Sequence, residues 1–209
     1  VRDLSTPGSG EPGGAVSPGT RTPATPATPA TPATPDHAAG LAVRDLHDGD
    51  LAVLAALNDA AVPAVNALGP AGLAAHVPTC AAALVVHDAG APGGPPLGFL
   101  LALAPGADYA SENYRWFAEH APGSLYVDRI VVAPHAHGRG AGRALYAAAE
   151  QHARRLGLSA LTCEVNLDPP NPASSAFHAR LGFRRVGVLD TKGGAVRVEL
   201  LSRAVALGG

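Results

Sequence analysis

VVAPHAHGRGAGRALY, residues 131–146, decides how the chain is read. It begins in a β-branched run, meets Pro134, spaces Gly138, Gly140 and Gly142 by single residues, and enters an alanine-rich segment. That is a strand, a tight turn and a helix, the helix expected over 140–156 with Gly157 ending it. The first N–H groups of a helix have no internal partners, and small residues let backbone approach closely, so a pyrophosphate fits such a turn. Arg139 and Arg143 add positive charge. A dinucleotide fingerprint would need glycine at 143, and a P-loop would need Gly-Lys-Ser/Thr; the chain has neither. Glycines kept only for helix packing are the alternative.

Outward from this turn the pattern alternates. Upstream, residues 41–46 read as a strand, followed by a helix capped by Asp48 or Asp50 and running to about Leu68. A shorter helix follows Pro70. Residues 81–87 and 96–104 form a hairpin around the turn GAPGGPP, and residues 124–132 form a further strand. Downstream come a strand over 160–166, a helix over 172–181, and strands near 183–189 and 196–202. Hairpins first and strand–helix–strand units later imply an α/β (α+β) domain, a mixed sheet with helices on both faces.

A second stretch, NPASSAFHARLGF at residues 171–183, pairs with the first. Together they resemble the GCN5-related N-acetyltransferase (GNAT) superfamily, whose motifs are [QR]-x-x-G-x-[GA] after a strand ending V-x-P, and N-x-x-A-x-x-x-Y followed by G-F. Here they map onto Val132, Pro134, His137, Gly140 and Gly142, then Asn171, Ser174, His178, Gly182 and Phe183. The resemblance covers about residues 41–205, most closely to an uncharacterised bacterial branch. It departs twice: His137 replaces Gln or Arg, and His178 replaces the tyrosine that in many members protonates the departing thiolate.

The resemblance implies a mostly antiparallel sheet with one splayed parallel pair. It also implies acetyl transfer from acetyl-CoA to an amine by direct attack in a ternary complex. His137, Gly138, Arg139, Gly140, Ala141, Gly142 and Arg143 would surround the pyrophosphate, with Asn171 and Ser174 completing the cofactor site. Pantetheine would pair with backbone around Ile130 and Val132, where an N–H would polarise the thioester.

Asp128 is the expected base. It is an acid in an apolar strand, placed by simple alternation on the face of Ile130 and Val132, with its pKa raised by burial. A structural ion pair with an arginine is its alternative. Tyr126, on the same face, could order a water, and Glu164 is a second choice of base. His178 is the expected acid because histidine titrates near neutrality; a packed histidine is the alternative. Four of the chain's few aromatics, Tyr109, Tyr114, Trp116 and Phe117, fall within nine residues beside Asp108, Glu112 and Asn113. They read as a loop that either receives a cationic amine or supplies core volume.

Composition bounds the rest. The 209 residues are 47% hydrophobic but only 4% aromatic, so the core must be Ala, Val and Leu. Fifteen basic against 17 acidic residues, net −2, suggest neither a nucleic-acid face nor a membrane patch. No apolar run approaches the ~20 residues that span a bilayer, and without a basic-then-apolar pattern at residue 1 no signal peptide is expected. Cys80 and Cys163 read as reduced thiols of a cytoplasmic protein. His135 and His137 are too few for a metal site, so none is expected. Residues 1–40, with TPATPATPATPATP at 22–35, are expected to be a disordered Thr/Pro/Ala-rich tail. The expected partner is a small-molecule or protein amine; the oligomeric state, a homodimer included, stays open. A catalytically silent acyl-CoA sensor is the competing function.

Overall fold

The computed structural model describes residues 40–206; the tail assigned to residues 1–40 lies, but for Gly40, outside them. Seven strands form one sheet in the order β1-β2-β3-β4-β5-β7-β6. They are β1 (Leu41–Asp45), β2 (Ala82–Asp88), β3 (Gly98–Leu103), β4 (Ser124–Val132), β5 (Ala160–Asp168), β6 (Arg184–Thr191) and β7 (Val196–Ala204). Every neighbouring pair is antiparallel except β4–β5. The helices are α1 (Leu51–Ala60), α2 (Gly69–His76), α3 (Glu112–His120), α4 (Ala141–Arg155) and α5 (Pro172–Arg180).

Alternation along the strands builds two apolar faces. Leu84, Leu100, Leu125 and Leu161 pack with Leu145, Tyr146 and Ala149 of α4, and Phe177 and Leu181 join from α5 and its end. On the other face Val85, Phe99, Leu101 and Val131 pack with Leu54 of α1 and Leu73 of α2. Further along that side, Leu103, Tyr126, Val198 and Leu200 receive Tyr114 and Phe117 of α3.

Two expectations change here. The helix expected to reach Leu68 stops at Ala60. Pro63 removes an N–H donor and restricts the residue before it. Asp59 then accepts from the Leu68 and Gly69 N–H groups, and Asn58 Nδ2 donates to the Asn66 carbonyl at 2.9 Å, folding the loop back. The aromatic segment expected as a loop contains α3. Ser111 caps it by accepting from Tyr114 N–H at 3.3 Å, and Glu112 sits in its first turn.

The feature that positions the site is a bulge in β4. Leu101 pairs with Arg129 and Ala102 with Val127, leaving Asp128 as the extra residue. The parallel partners match only from Ser124–Ala160 to Tyr126–Thr162, after which β4 and β5 part.

Candidate active site

A cleft of about 710 Å³ opens beside the end of β4. It is lined by Ile130, Val131 and Val132 of β4, by Gly138, Gly140, Ala141, Gly142 and Arg143, and by Ala60, Asn171, Ser174 and His178. The turn reaches this shape because Gly138 and Gly140 adopt φ of +76° and +89°, a region costly for residues with a Cβ. Gly140 caps α4, and among the described residues no side chain caps the helix. A doubly charged pyrophosphate suits that end.

Gly142 has a different role. A Cβ there would lie 2.7 Å from the Phe177 ring, so its smallness lets α4 and α5 pack closely. Arg139, expected at the phosphate, does not line the cleft; its guanidinium pairs with Asp88 at 3.2 Å. His137 lines the cleft while its Nε2 meets the Val132 carbonyl at 2.9 Å. Asn171 caps α5 by accepting from Ser174 N–H at 3.2 Å.

Where the strands part, two carboxylates differ sharply. The bulge puts Asp128 on the α2–α3 side, away from the face carrying Ile130 and Val132, which corrects simple alternation. It is 5% exposed and held by His76 Nε2 at 3.1 Å, Tyr109 Oη at 2.6 Å and Arg129 Nε at 2.7 Å. Burial by itself would raise its pKa. The His76 hydrogen bond, the Arg129 charge and the Tyr109 hydroxyl outweigh that, and the carboxyl stays below its ordinary range. Asp128 is therefore a saturated anchor, the ion-pair alternative, and a poor base.

Glu164, on β5 two residues beyond the last parallel pair, behaves oppositely. Burial, reinforced by the Asp128 charge, raises its pKa to about 8, against partial relief from hydrogen bonds of Tyr126 and Asn113. Tyr126 Oη donates to Glu164 Oε2 at 2.9 Å, so this hydroxyl serves the carboxyl directly. Among the described residues no Lys, Arg or His forms an ion pair with Glu164.

His178 also departs from expectation. It is 2% exposed, with Nε2 2.7 Å from Tyr146 Oη and Nδ1 2.8 Å from the Ser174 carbonyl. Since a carbonyl only accepts, Nδ1 carries the proton and Nε2 accepts from tyrosine. Burial lowers the pKa, so the ring stays neutral near neutrality and turns no N–H to the cleft. Of the four aromatics proposed for the acceptor, only Tyr109 reaches the acidic cluster. Tyr114 and Phe117 are core residues, and Trp116 packs against Gly187, whose Cβ would meet its ring at 3.1 Å. In an aromatic-poor chain their volume was needed inside.

Residues 85–183 match the model of the Acetyltransferase (GNAT) family. The matched stretch is a GNAT acetyltransferase domain. Among solved structures its fold is similar to Ard1 from Thermoplasma volcanium, at TM-score 0.63 and 14% identity over 80% of this chain and 99% of that one. The ribosomal-protein-S18-alanine N-acetyltransferase from Escherichia coli gives TM-score 0.58 and 16% identity over 81% and 96%. yncA from Salmonella typhimurium, solved with its cofactor acetyl-CoA, gives 0.58 and 18% over 81% and 96%. No curated protein matches by sequence. Four residues near the parting of β4 and β5 are not leading candidates in the sequence: Glu164, His76, Arg129 and Asn113. Glu164 had a signal, an acid alternating with the buried Cys163 and Val165; Asn113 stood beside the aromatic cluster, Arg129 fell under the ion-pair alternative for Asp128, and His76 had none.

Proposed function

We propose that this GNAT domain is an acetyl-CoA-dependent N-acetyltransferase acting on a primary amine of a small molecule or protein, by direct attack in a ternary complex. The observation that carries the reading is Glu164, an unneutralised carboxyl with pKa raised to about 8 where β4 and β5 part. A base matched to neutral pH extracts a proton from an ammonium far better than Asp128.

The residues present fit the cofactor. Uncapped N–H groups at the start of α4, with Arg143, would hold its pyrophosphate, and backbone at Ile130 and Val132 would pair with pantetheine. When bound, acetyl-CoA supplies the activated acetyl group and a thiolate as leaving group. Glu164 takes a proton from the acceptor, Tyr126 holds Glu164 in place, and Asp128 fixes the bulge through His76, Tyr109 and Arg129. With both His178 nitrogens engaged, the thiolate's proton comes from solvent in the open cleft.

The test is thiol release from acetyl-CoA with a panel of amines, products read by mass spectrometry. Glu164→Gln should lower kcat/KM by about 100-fold or more with CoA affinity unchanged. Turnover of amines by Glu164→Gln at the wild-type rate would overturn the assignment. CoA binding without turnover of any amine would favour a sensor.

A further inference from the structure

The acceptor end holds a polar atom that the mechanism above does not use. Asn113 occupies the second position of α3, and its Oδ1 is buried without a hydrogen-bond partner. Among the described residues only Arg203 Nε shares that condition, and the Arg203 guanidinium still bonds the Leu181 carbonyl and Glu150. An unpaired buried carbonyl is costly, and a ligand that donates to it recovers that cost. The amide of the same side chain is one of the hydrogen-bonding groups that draw the Glu164 pKa down against burial. Neighbouring charges are already committed: Asp128 to Arg129 and His76, and Glu112 to the Lys192 N–H at 2.9 Å. The two unanswered groups are thus side by side, a carboxyl without a cation and a carbonyl without a donor.

We propose that Asn113 makes the acceptor end specific for amines over hydroxyl compounds, its Oδ1 receiving an N–H that the acceptor still holds after yielding a proton to Glu164. The proposal rests on the reading of Glu164 as base. The balance is simple. An alkylammonium has three N–H bonds. One proton passes to the Glu164 carboxylate, leaving a neutral amine whose lone pair forms the C–N bond as the C–S bond breaks. One remaining N–H stays on Asn113 Oδ1. The other N–H proton leaves to solvent as the amide forms, and solvent returns one proton to the thiolate. An alcohol has a single O–H. Once that proton is on Glu164, nothing remains for Oδ1, and the acceptor oxygen faces the carbonyl lone pairs across the gap. A site whose buried polar group is left unpaired by one substrate discriminates strongly against it.

Asn113→Ala and Asn113→Leu test this with n-butylamine, an amino-acid amide and a tripeptide with a free N-terminus, each beside its hydroxyl counterpart. For the best amine, kcat/KM should fall about 10- to 100-fold in both variants. The hydroxyl rates should not fall, and the melting temperature should hold or rise because an unpaired carbonyl has gone. Amine kcat/KM within twofold of wild type in either folded variant overturns the proposal. If no amine releases thiol in the wild type, the transferase reading fails separately. Asn113 is then read by carbon NMR of Glu164 titrated with n-butylammonium. The ammonium should lower the Glu164 titration midpoint in the wild type and less in Asn113→Ala; no shift in the wild type, or equal shifts in both, overturns the proposal.

Discussion

Asp128 and Glu164 are carboxylates on adjacent strands whose surroundings push them in opposite directions, and stability should record this. Asp128 is held below its ordinary range, so its contribution is present above that range and is lost as the solution becomes strongly acidic. Glu164 binds its proton more tightly folded than unfolded. Its contribution is complete below the ordinary carboxylate range and is lost as pH rises toward about 8. Glu164→Gln keeps a neutral side chain at every pH. The variant should therefore match wild type in melting temperature near pH 4 and exceed it at pH 8. A difference independent of pH would mean that Glu164 is not strained. His178 gives a second residue-level test. Removing it leaves the buried Tyr146 hydroxyl without its acceptor, so His178→Ala should cost about 1–3 kcal/mol in denaturant unfolding. The alkaline limb of the rate profile should stay where it is in wild type. A limb displaced with stability intact would make the ring a proton donor after all.

At the scale of elements, the glycines of the α4 turn divide into two jobs. Gly140→Ala must place a Cβ at φ +89° in the cradle itself, and should weaken CoA binding in calorimetry. Gly142→Ala instead drives a methyl into Phe177 and should push α4 and α5 apart, lowering stability first. Pairing it with Phe177→Leu should recover part of that loss, while the same partner should do nothing for Gly140→Ala. A Gly142→Ala that binds CoA poorly but melts like wild type would return Gly142 to the phosphate. The division was not legible in the sequence, since both residues sit in the same alternation and only the approach of α5 separates them. The strands were legible because their alternation and bounding turns are local. β4 was read as Ser124–Val132, and the structure has the same limits. α3 is masked in the sequence by its clustered aromatics, although Ser111 as cap and Tyr114 and Phe117 at helical spacing are present.

Across the whole molecule, β4 and β5 match at only three residue pairs before they diverge, so β1–β4 and β5–β7 meet along a short seam. The cofactor cleft was readable because its motifs are contiguous in sequence. The acceptor end was not, because it is assembled from residues far apart and because one bulged residue inverted the parity of β4 beyond it. Side-chain bonds reinforce the seam from the loop between α1 and α2. Asn166 Nδ2 of β5 donates to the Pro63 carbonyl at 3.2 Å, and Lys192 Nζ, in the β6–β7 turn, donates to Asn66 Oδ1 at 2.6 Å. The Asn66 carbonyl in turn accepts from Asn58 Nδ2 at 2.9 Å, and Asn58 Oδ1 accepts from Arg129 next to the bulge at 2.9 Å. A continuous path thus runs from the β6–β7 turn to Arg129 beside the β4 bulge. Lys192→Ala cuts it at an exposed bond worth little to global stability. The melting temperature and CoA affinity should therefore change little, while amide exchange across residues 61–68 should speed up, because that loop loses its tie to the β6–β7 turn. The KM for the amine should rise with kcat nearly unchanged, since Glu164, Tyr126 and Asp128 keep their own partners. Unchanged exchange in residues 61–68 would show that the Asn166 and Arg129 contacts hold the loop without Lys192, and that the path ends at Asn66.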